Sequence, residues 1–280
     1  MILSEGEELT PDRVEICGGC VPAARENYAN SAFIPLKDWR NPSEHELRIL
    51  AAGEEPKPVD DAEFVAIVKL PPHLGDQFAF MREAIQKHNK QTVVDNLFQH
   101  PRYRRALFAT QRYWHEIGAA ERLRMLGHFS RPPGITLPEP STSVGEHGKY
   151  VGLHIDSWHT GTVAERPSGY PTRFCYNLGP EDRQFQFINL SIRRIRELSP
   201  GFGSNDPNEF CTDFLLRHGD YPVVKVRVKP GEAYIAPTEI MIHDGSTVGK
   251  HYFDASFTFL GCFRPDVVHR LHDIQAKRAA

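Results

Sequence analysis

Gly152-Leu153-His154-Ile155-Asp156 is the stretch on which the reading of this chain turns, and it needs a distant partner, Ile242-His243-Asp244-Gly245. Apolar and polar residues alternate through the first stretch, the pattern of a β-strand. Successive strand side chains point to opposite faces, so His154 and Asp156 project from the same one. An imidazole from a neighbouring strand completes a set of two histidines and one carboxylate, and His243 is the candidate. Such a set holds one face of an octahedral Fe(II) and leaves three positions open. The three residues are therefore candidate metal ligands and candidate catalytic residues at once.

Taken alone, His-x-Asp is a weak signal in a chain with 14 His. Its setting strengthens it. From residue 133 onward, short β-rich runs follow one another: 149–155, 172–178, 184–192, 223–228, 232–235, 240–243 and 256–263. Gly179-Pro180, Pro230-Gly231 and Asp244-Gly245 punctuate them as turns. Strands of this length and spacing predict a double sheet or jelly roll, not a parallel α/β sheet. A jelly roll brings distant strands side by side, and that is what His154, Asp156 and His243 require.

The texture differs before residue 125. Pro-rich, acidic segments such as Gly53-Glu54-Glu55-Pro56-Lys57-Pro58 alternate with helix-like stretches at 75–98 and 101–127. Leu107, Trp114, Ile117 and Leu123 fall at helical spacings in the second. The expected organisation is one α+β catalytic domain over 1–280. A mostly helical and loop elaboration (1–130) covers the barrel mouth, a jelly-roll core follows (131–266), and a tail closes the chain (267–280).

A net charge of −3 gives no argument for a nucleic-acid partner or an anionic membrane surface. Six arginines interleave with aromatics between Arg102 and Arg124, but an amphipathic helix with a solvated basic face explains them. No apolar run approaches membrane-spanning length. The acidic N-terminus lacks the apolar core of a signal peptide, so a cytoplasmic location is expected. The five cysteines are odd in number and scattered, unlike a disulfide framework. Cys17-Gly18-Gly19-Cys20 reads as a Gly-Gly turn with two ordinary thiols, since no second CxxC accompanies it.

The ordered series His154-x-Asp156, β-runs, Pro230-Gly231-Glu232, Pro237 and His243 resembles the Fe(II)/2-oxoglutarate-dependent oxygenases. The resemblance covers roughly residues 145–265. It implies a double-stranded β-helix whose iron binds 2-oxoglutarate and O₂ and couples decarboxylation to C–H oxidation, most often hydroxylation. Many members place an Arg or Lys about ten residues after the distal His, to pair with the far carboxylate of 2-oxoglutarate. Here Lys250-His251-Tyr252-Phe253-Asp254-Ala255-Ser256 stands there, without an Arg. Arg173 is the first substitute, Arg264 the second and Lys250 the third. Asn177 and Asn189, polar within apolar strands, either bond the co-substrate or satisfy the barrel interior.

Other readings stay open. A metal cupin that uses no 2-oxoglutarate fits Gly231, Pro237 and His243, though His-x-Asp departs from its first motif. A non-catalytic jelly-roll binding module and a zinc hydrolase are further alternatives; no H-E-x-x-H helix supports the latter. Gly245-Ser246-Thr247-Val248-Gly249-Lys250 lacks the first Gly of a phosphate loop. His159 reads as a polar loop residue and Trp158 as half-buried packing. The expected substrate is a small molecule such as an amino acid or specialised metabolite; oligomeric state is not legible.

Overall fold

The computed structural model describes residues 2–3, 9–51, 64–134, 144–145, 148–157, 162, 166, 171–199, 204–269 and 271. The acidic 53–58 segment, Trp158, His159 and most of the 267–280 tail lie outside them. In chain order the first half holds β1 (Ile2–Leu3), β2 (Val14–Cys17), β3 (Cys20–Pro22), β4 (Tyr28–Pro35), α1 (Glu44–Leu50) and β5 (Ala66–Lys69). It continues with α2 (Pro72–Gly75), α3 (Ala79–His88), α4 (Gln91–Gln99), α5 (Pro101–Glu116) and β6 (Ala120–Arg131). The second half holds β7 (Tyr150–Gly152), β8 (Thr172–Asn177), β9 (Arg183–Ser191), α6 (Ile192–Leu198) and α7 (Pro207–Arg217). It ends with β10 (Val223–Val228), β11 (Glu232–Ala236), β12 (Met241–Ser246), β13 (Asp254–Phe263) and α8 (Pro265–His269).

Two sheets form the core. One has the order β1-β5-β11-β8-β13-β6 and the other β12-β9-β10-β2, while β3-β4-β7 make a small third sheet. From β8 to β13 the chain passes between the two large sheets, and every pairing among these six strands is antiparallel. That is a jelly-roll core, and with its flanking helices the fold is α+β.

Alternation along the strands builds three apolar layers. On β8, Phe174 and Tyr176 face α3, α4 and α5, whereas Cys175 faces the space between the sheets. On β9, Phe185 and Phe187 fill that space, opposite Tyr234 of β11. Beneath the second sheet, Ile188 and Ile242 pack on Ile195, Phe210 and Phe214 of α6 and α7. Each such aromatic or branched side chain contributes about 1.5–3 kcal/mol by leaving water.

The N-terminal part is more than a helical cover. β1, β5 and β6 join the first sheet and β2 joins the second, so four strands up to residue 131 complete the barrel walls. The helix expected over 101–127 stops at Glu116. Gly118, at φ 67°, turns the chain while Ala119 donates to the Trp114 carbonyl, and the strand begins two residues later. Leu123 and Met125 then reach the core by strand alternation instead of helical spacing. The stretch 75–98 breaks at Asn89, whose left-handed φ of 39° caps α3.

Cys17 and Cys20 are buried and unbridged. Between them, Gly19 passes so close to the Gly219 carbonyl that a Cβ would meet its oxygen at 2.0 Å. The motif works as a tight turn.

Candidate metal centre

Two segments carry the candidate ligands, and their backbones are bonded to each other. His154 donates to the His243 carbonyl at 2.9 Å, and His243 donates to the His154 carbonyl at 2.8 Å. Two residues on, Asp156 donates to the Thr238 carbonyl at 3.0 Å. Gly152 sets up this approach: at φ 69° it lies against the Phe33 backbone, where a Cβ would meet the carbonyl oxygen at 2.3 Å. Only glycine fits that conformation and that space. On the other side, the register of β12 against β9 shifts between Met241 and His243, which re-aims the histidine.

The side chains converge accordingly. Asp156 Oδ1 lies 3.5 Å from His154 Nε2, and Oδ2 lies 3.6 Å from His243 Nε2. One ligand atom from each of the three residues falls within 4.8 Å of the others. Each imidazole is oriented by the same device. His154 Nδ1 meets the Gly152 carbonyl at 2.7 Å, and His243 Nδ1 meets the Met241 carbonyl at 3.1 Å. A carbonyl only accepts, so each Nδ1 carries the proton and each Nε2 offers its lone pair. His243 Nε2 is buried without a hydrogen-bond partner. Buried polar atoms are rarely left so, and a metal ion would supply what this atom lacks. The donor set, two neutral imidazoles and a carboxylate, suits a divalent transition metal.

For Asp156 and His243 the electrostatics point the same way, whereas the carboxylate favours the protonated form of His154 until a metal takes its Nε2. Burial alone would raise the Asp156 carboxyl, but Arg173 and the two imidazoles outweigh it and hold the pKa well below the usual 3.8. Burial drives His243 down to about 3, with repulsion from His154 and Arg173 working against the pull of Asp156. For His154 burial is overcome by the hydrogen bond and charge of Asp156, which raise it. At neutral pH the set therefore holds an ionised carboxylate beside a neutral His243.

The three residues open onto a cavity of about 660 Å³ between the sheets, also lined by Arg131, Arg173, Arg183, Tyr234 and Ser256. Arg173 reaches it from β8 and pairs with Asp156 at 3.1 Å. Arg183 begins β9 and pairs with Asp254 at 3.1 Å. Asp254, in the 250–256 stretch, gathers two cations: Arg183, and Lys250 four residues before it. Asp244 also lines the cavity, but its Oδ1 accepts from the Gly245 amide and lies outside the ligand cluster.

Two expected co-substrate contacts lie away from this cavity. Arg264 follows the far end of β13 and pairs with Asp266 on the surface, ten residues from Asp254, or roughly 30 Å along a strand. Asn189 is exposed on β9. Asn177 is a structural amide: it donates to the carbonyls of Glu181 and Val228 and accepts from the Gly179 amide. Lys250 is buried on Asp254.

Arg131, Arg166, Arg183 and Tyr234 were not singled out in the sequence. A usable signal existed for Arg183. Arg183, Phe185 and Phe187 alternate along one strand, which puts an arginine on a face that otherwise reads as core.

Beyond His154 a second cavity of about 750 Å³ opens between β4, β7 and α7, lined by Asn30, Ser31, Lys149, Asn208 and Thr212. Gly145, Val151, His154 and Asn208 line both spaces, so they meet at the metal centre. Among the described residues, no helix is long and apolar enough to cross a membrane.

No family model matches the chain, and no curated protein matches it. Solved structures with some similarity include SnoN, a non-haem α-ketoglutarate-dependent epimerase from nogalamycin biosynthesis. It is 14% identical, with 74% of this chain and 80% of that one covered, at a TM-score of 0.33. HygX from Streptomyces hygroscopicus with iron bound is 14% identical over 76% of this chain and 87% of its own, at a TM-score of 0.33. Its form with nickel and 2-oxoglutarate gives the same identity and coverage at 0.34.

Proposed function

We propose that this protein is a non-haem Fe(II) oxygenase that uses 2-oxoglutarate and O₂ to oxidise a C–H bond of a small molecule, by hydroxylation in the first instance. One observation carries the reading. Two Nδ1-anchored imidazoles and an ionised carboxylate converge in a cavity that holds three arginines and an orphaned Nε2. His154, Asp156 and His243 would hold the iron. With 2-oxoglutarate bound, that group supplies oxidising power from O₂ at the expense of a carboxylate lost as CO₂.

This chain's residues supply the rest. Arg183 and Arg131 are suited to the far carboxylate of the co-substrate: both line the cavity, and guanidinium groups hold carboxylates as forks. Arg173 was the first expectation for that role; like Arg183 it pairs through Nη1 with a carboxylate at 3.1 Å, but its partner is Asp156, the candidate metal ligand itself. Phe129 and Phe185 line the same space and limit water around the reacting centre. The second cavity is the proposed substrate space, because it meets the metal centre at His154 and offers amide, hydroxyl and ammonium groups.

Anaerobic titration with Fe(II), then 2-oxoglutarate, tests the reading. A visible charge-transfer band is expected with both added and absent with either alone, and admission of O₂ should yield succinate. Iron binding without band or succinate would favour the cupin alternative. Iron binding equally in His154→Ala, His243→Ala and the parent would sink the metal centre itself.

A further inference from the structure

Nothing within the triad decides which oxygen of Asp156 serves a metal. Oδ1 and Oδ2 lie at nearly equal distances from an imidazole nitrogen, 3.5 Å and 3.6 Å. Arg173 breaks that symmetry, since its Nη1 donates to Oδ2 at 3.1 Å. The arginine stands on β8 in the first sheet, whereas His243 stands on β12 in the second. The ion pair therefore crosses the space between the sheets at the metal centre. Arg173 is well placed to hold position: its side chain is 14% exposed, and its guanidinium lies 5.9 Å from the centre of the Phe129 ring.

The backbone behind the carboxylate is fixed as well. Arg166, itself buried, donates through Nη1 to the carbonyls of Asp156 at 2.9 Å and Glu239 at 2.7 Å. Its Nη2 donates to Ser157 Oγ at 3.3 Å. One side chain thus ties the His154–Asp156 segment to the segment that leads into His243.

We propose that Arg173 is a positioning residue that keeps Oδ2 of Asp156 off the metal, so that this ligand coordinates through Oδ1 only. The inference rests on the oxygenase reading above and deepens it. A carboxylate that gave both oxygens would, with two histidines, fill four of the six octahedral positions. Only two would remain, one too few for a chelating co-substrate together with O₂. A charge-assisted bond to one oxygen removes that alternative. Arg166 serves the same end from behind by preventing the carboxylate from sliding toward the metal.

The experiment uses the intact protein loaded with Co(II) and two probe chelators, oxalate and 2-oxoglutarate. Oxalate occupies two metal positions but has no distant carboxylate. Arg173→Met should retain Co(II) and lose about tenfold or more in oxalate affinity, in the range typical when an outer-shell partner of a ligand is removed. Arg173→Gln keeps a donor toward Oδ2 and should bind oxalate within about twofold of the parent. The Co(II) absorption spectrum of Arg173→Met should differ from the parent before any chelator is added, because the carboxylate changes its mode of binding.

Oxalate affinity and spectrum unchanged in Arg173→Met would overturn the proposal. So would a loss confined to 2-oxoglutarate, which would make Arg173 the counter-ion of the far carboxylate. If Arg173→Met does not fold, Arg173→Leu decides, since it too leaves no donor toward Oδ2 and should weaken oxalate binding by a similar factor; unchanged binding overturns the proposal. Failure of the parent to bind Co(II), or of the loaded parent to bind either chelator, is a different result and strikes the oxygenase reading.

Discussion

Two buried arginine–carboxylate pairs in this molecule have the same chemistry and opposite behaviour. Arg13 and Glu232 join the start of β2 to β11, with contacts of 2.6 and 3.3 Å and side chains 3% and 1% exposed. Glu232 also accepts from the Lys229 amide at 2.8 Å and has Lys69 at 3.7 Å, so its oxygens are saturated. Arg173 meets Asp156 Oδ2 at 3.1 Å, and the rest of that carboxylate faces two imidazoles and a cavity. The first pair is a staple. The second holds its carboxylate in place while leaving an oxygen to spend. Function is marked here less by burial of charge than by incomplete satisfaction of it.

The sharpest way to break the comparison is to remove each carboxylate. Asp156→Ala should abolish metal binding and 2-oxoglutarate turnover with the far-ultraviolet circular dichroism of the parent retained; residual turnover would identify the wrong carboxylate. Glu232→Ala should do the reverse. It leaves Arg13 buried without its partner, and urea unfolding should register a loss of about 3–5 kcal/mol, with metal affinity per folded molecule unchanged.

A smaller effect is expected at Arg183. Arg183→Met should raise the KM for 2-oxoglutarate about 10- to 100-fold, from loss of a charged hydrogen bond of about 1.5–3 kcal/mol, while Fe(II) affinity holds. Its partner brings in pH. Burial opposes ionisation of Asp254, but Arg183 and Lys250 prevail and lower its pKa from 3.8. A depressed carboxyl stabilises the fold above its ordinary pKa and loses that contribution as pH falls through the lowered value. The melting-temperature gap between the parent and Asp254→Asn should therefore be widest near neutrality and shrink below pH 3.8. The smallest effect belongs to Arg264→Ala. Its surface pair with Asp266 should be worth less than about 1 kcal/mol, and the KM for 2-oxoglutarate should not move.

The sequence made the strands after residue 133 readable because alternation and turn residues are local signals. Residues 172–178, 223–228 and 256–263 fall within two residues of β8, β10 and β13. His154, Asp156 and His243 were legible as a set, but the strand expected over 149–155 ends at Gly152. His154 stands on an isolated bridge to His243 and Asp156 lies beyond any strand, so strand alternation does not account for their proximity. What was hidden depends on pairing between distant segments. Nothing in Ala66-Ile67-Val68-Lys69 says that it will lie beside β11, nor in Val14-Glu15-Ile16-Cys17 that it will extend the second sheet. The cations around Asp254 were hidden for a related reason. The 250–256 stretch showed only that it lacks an Arg, and only the fold shows that Asp254 within it pairs with Arg183 from 71 positions earlier. Leu123 misled because its helical spacing from Trp114 ignored the punctuation at Gly118.

The reciprocal backbone bonds between His154 and His243 have a dynamic consequence. Two candidate ligands that share a pair of backbone hydrogen bonds should not fray one at a time. Their amide protons should exchange with solvent as a single event, at one opening rate, although the residues stand far apart in the chain. Metal loading should slow both by the same factor, and so the iron ledge would open and close as one hinged plate.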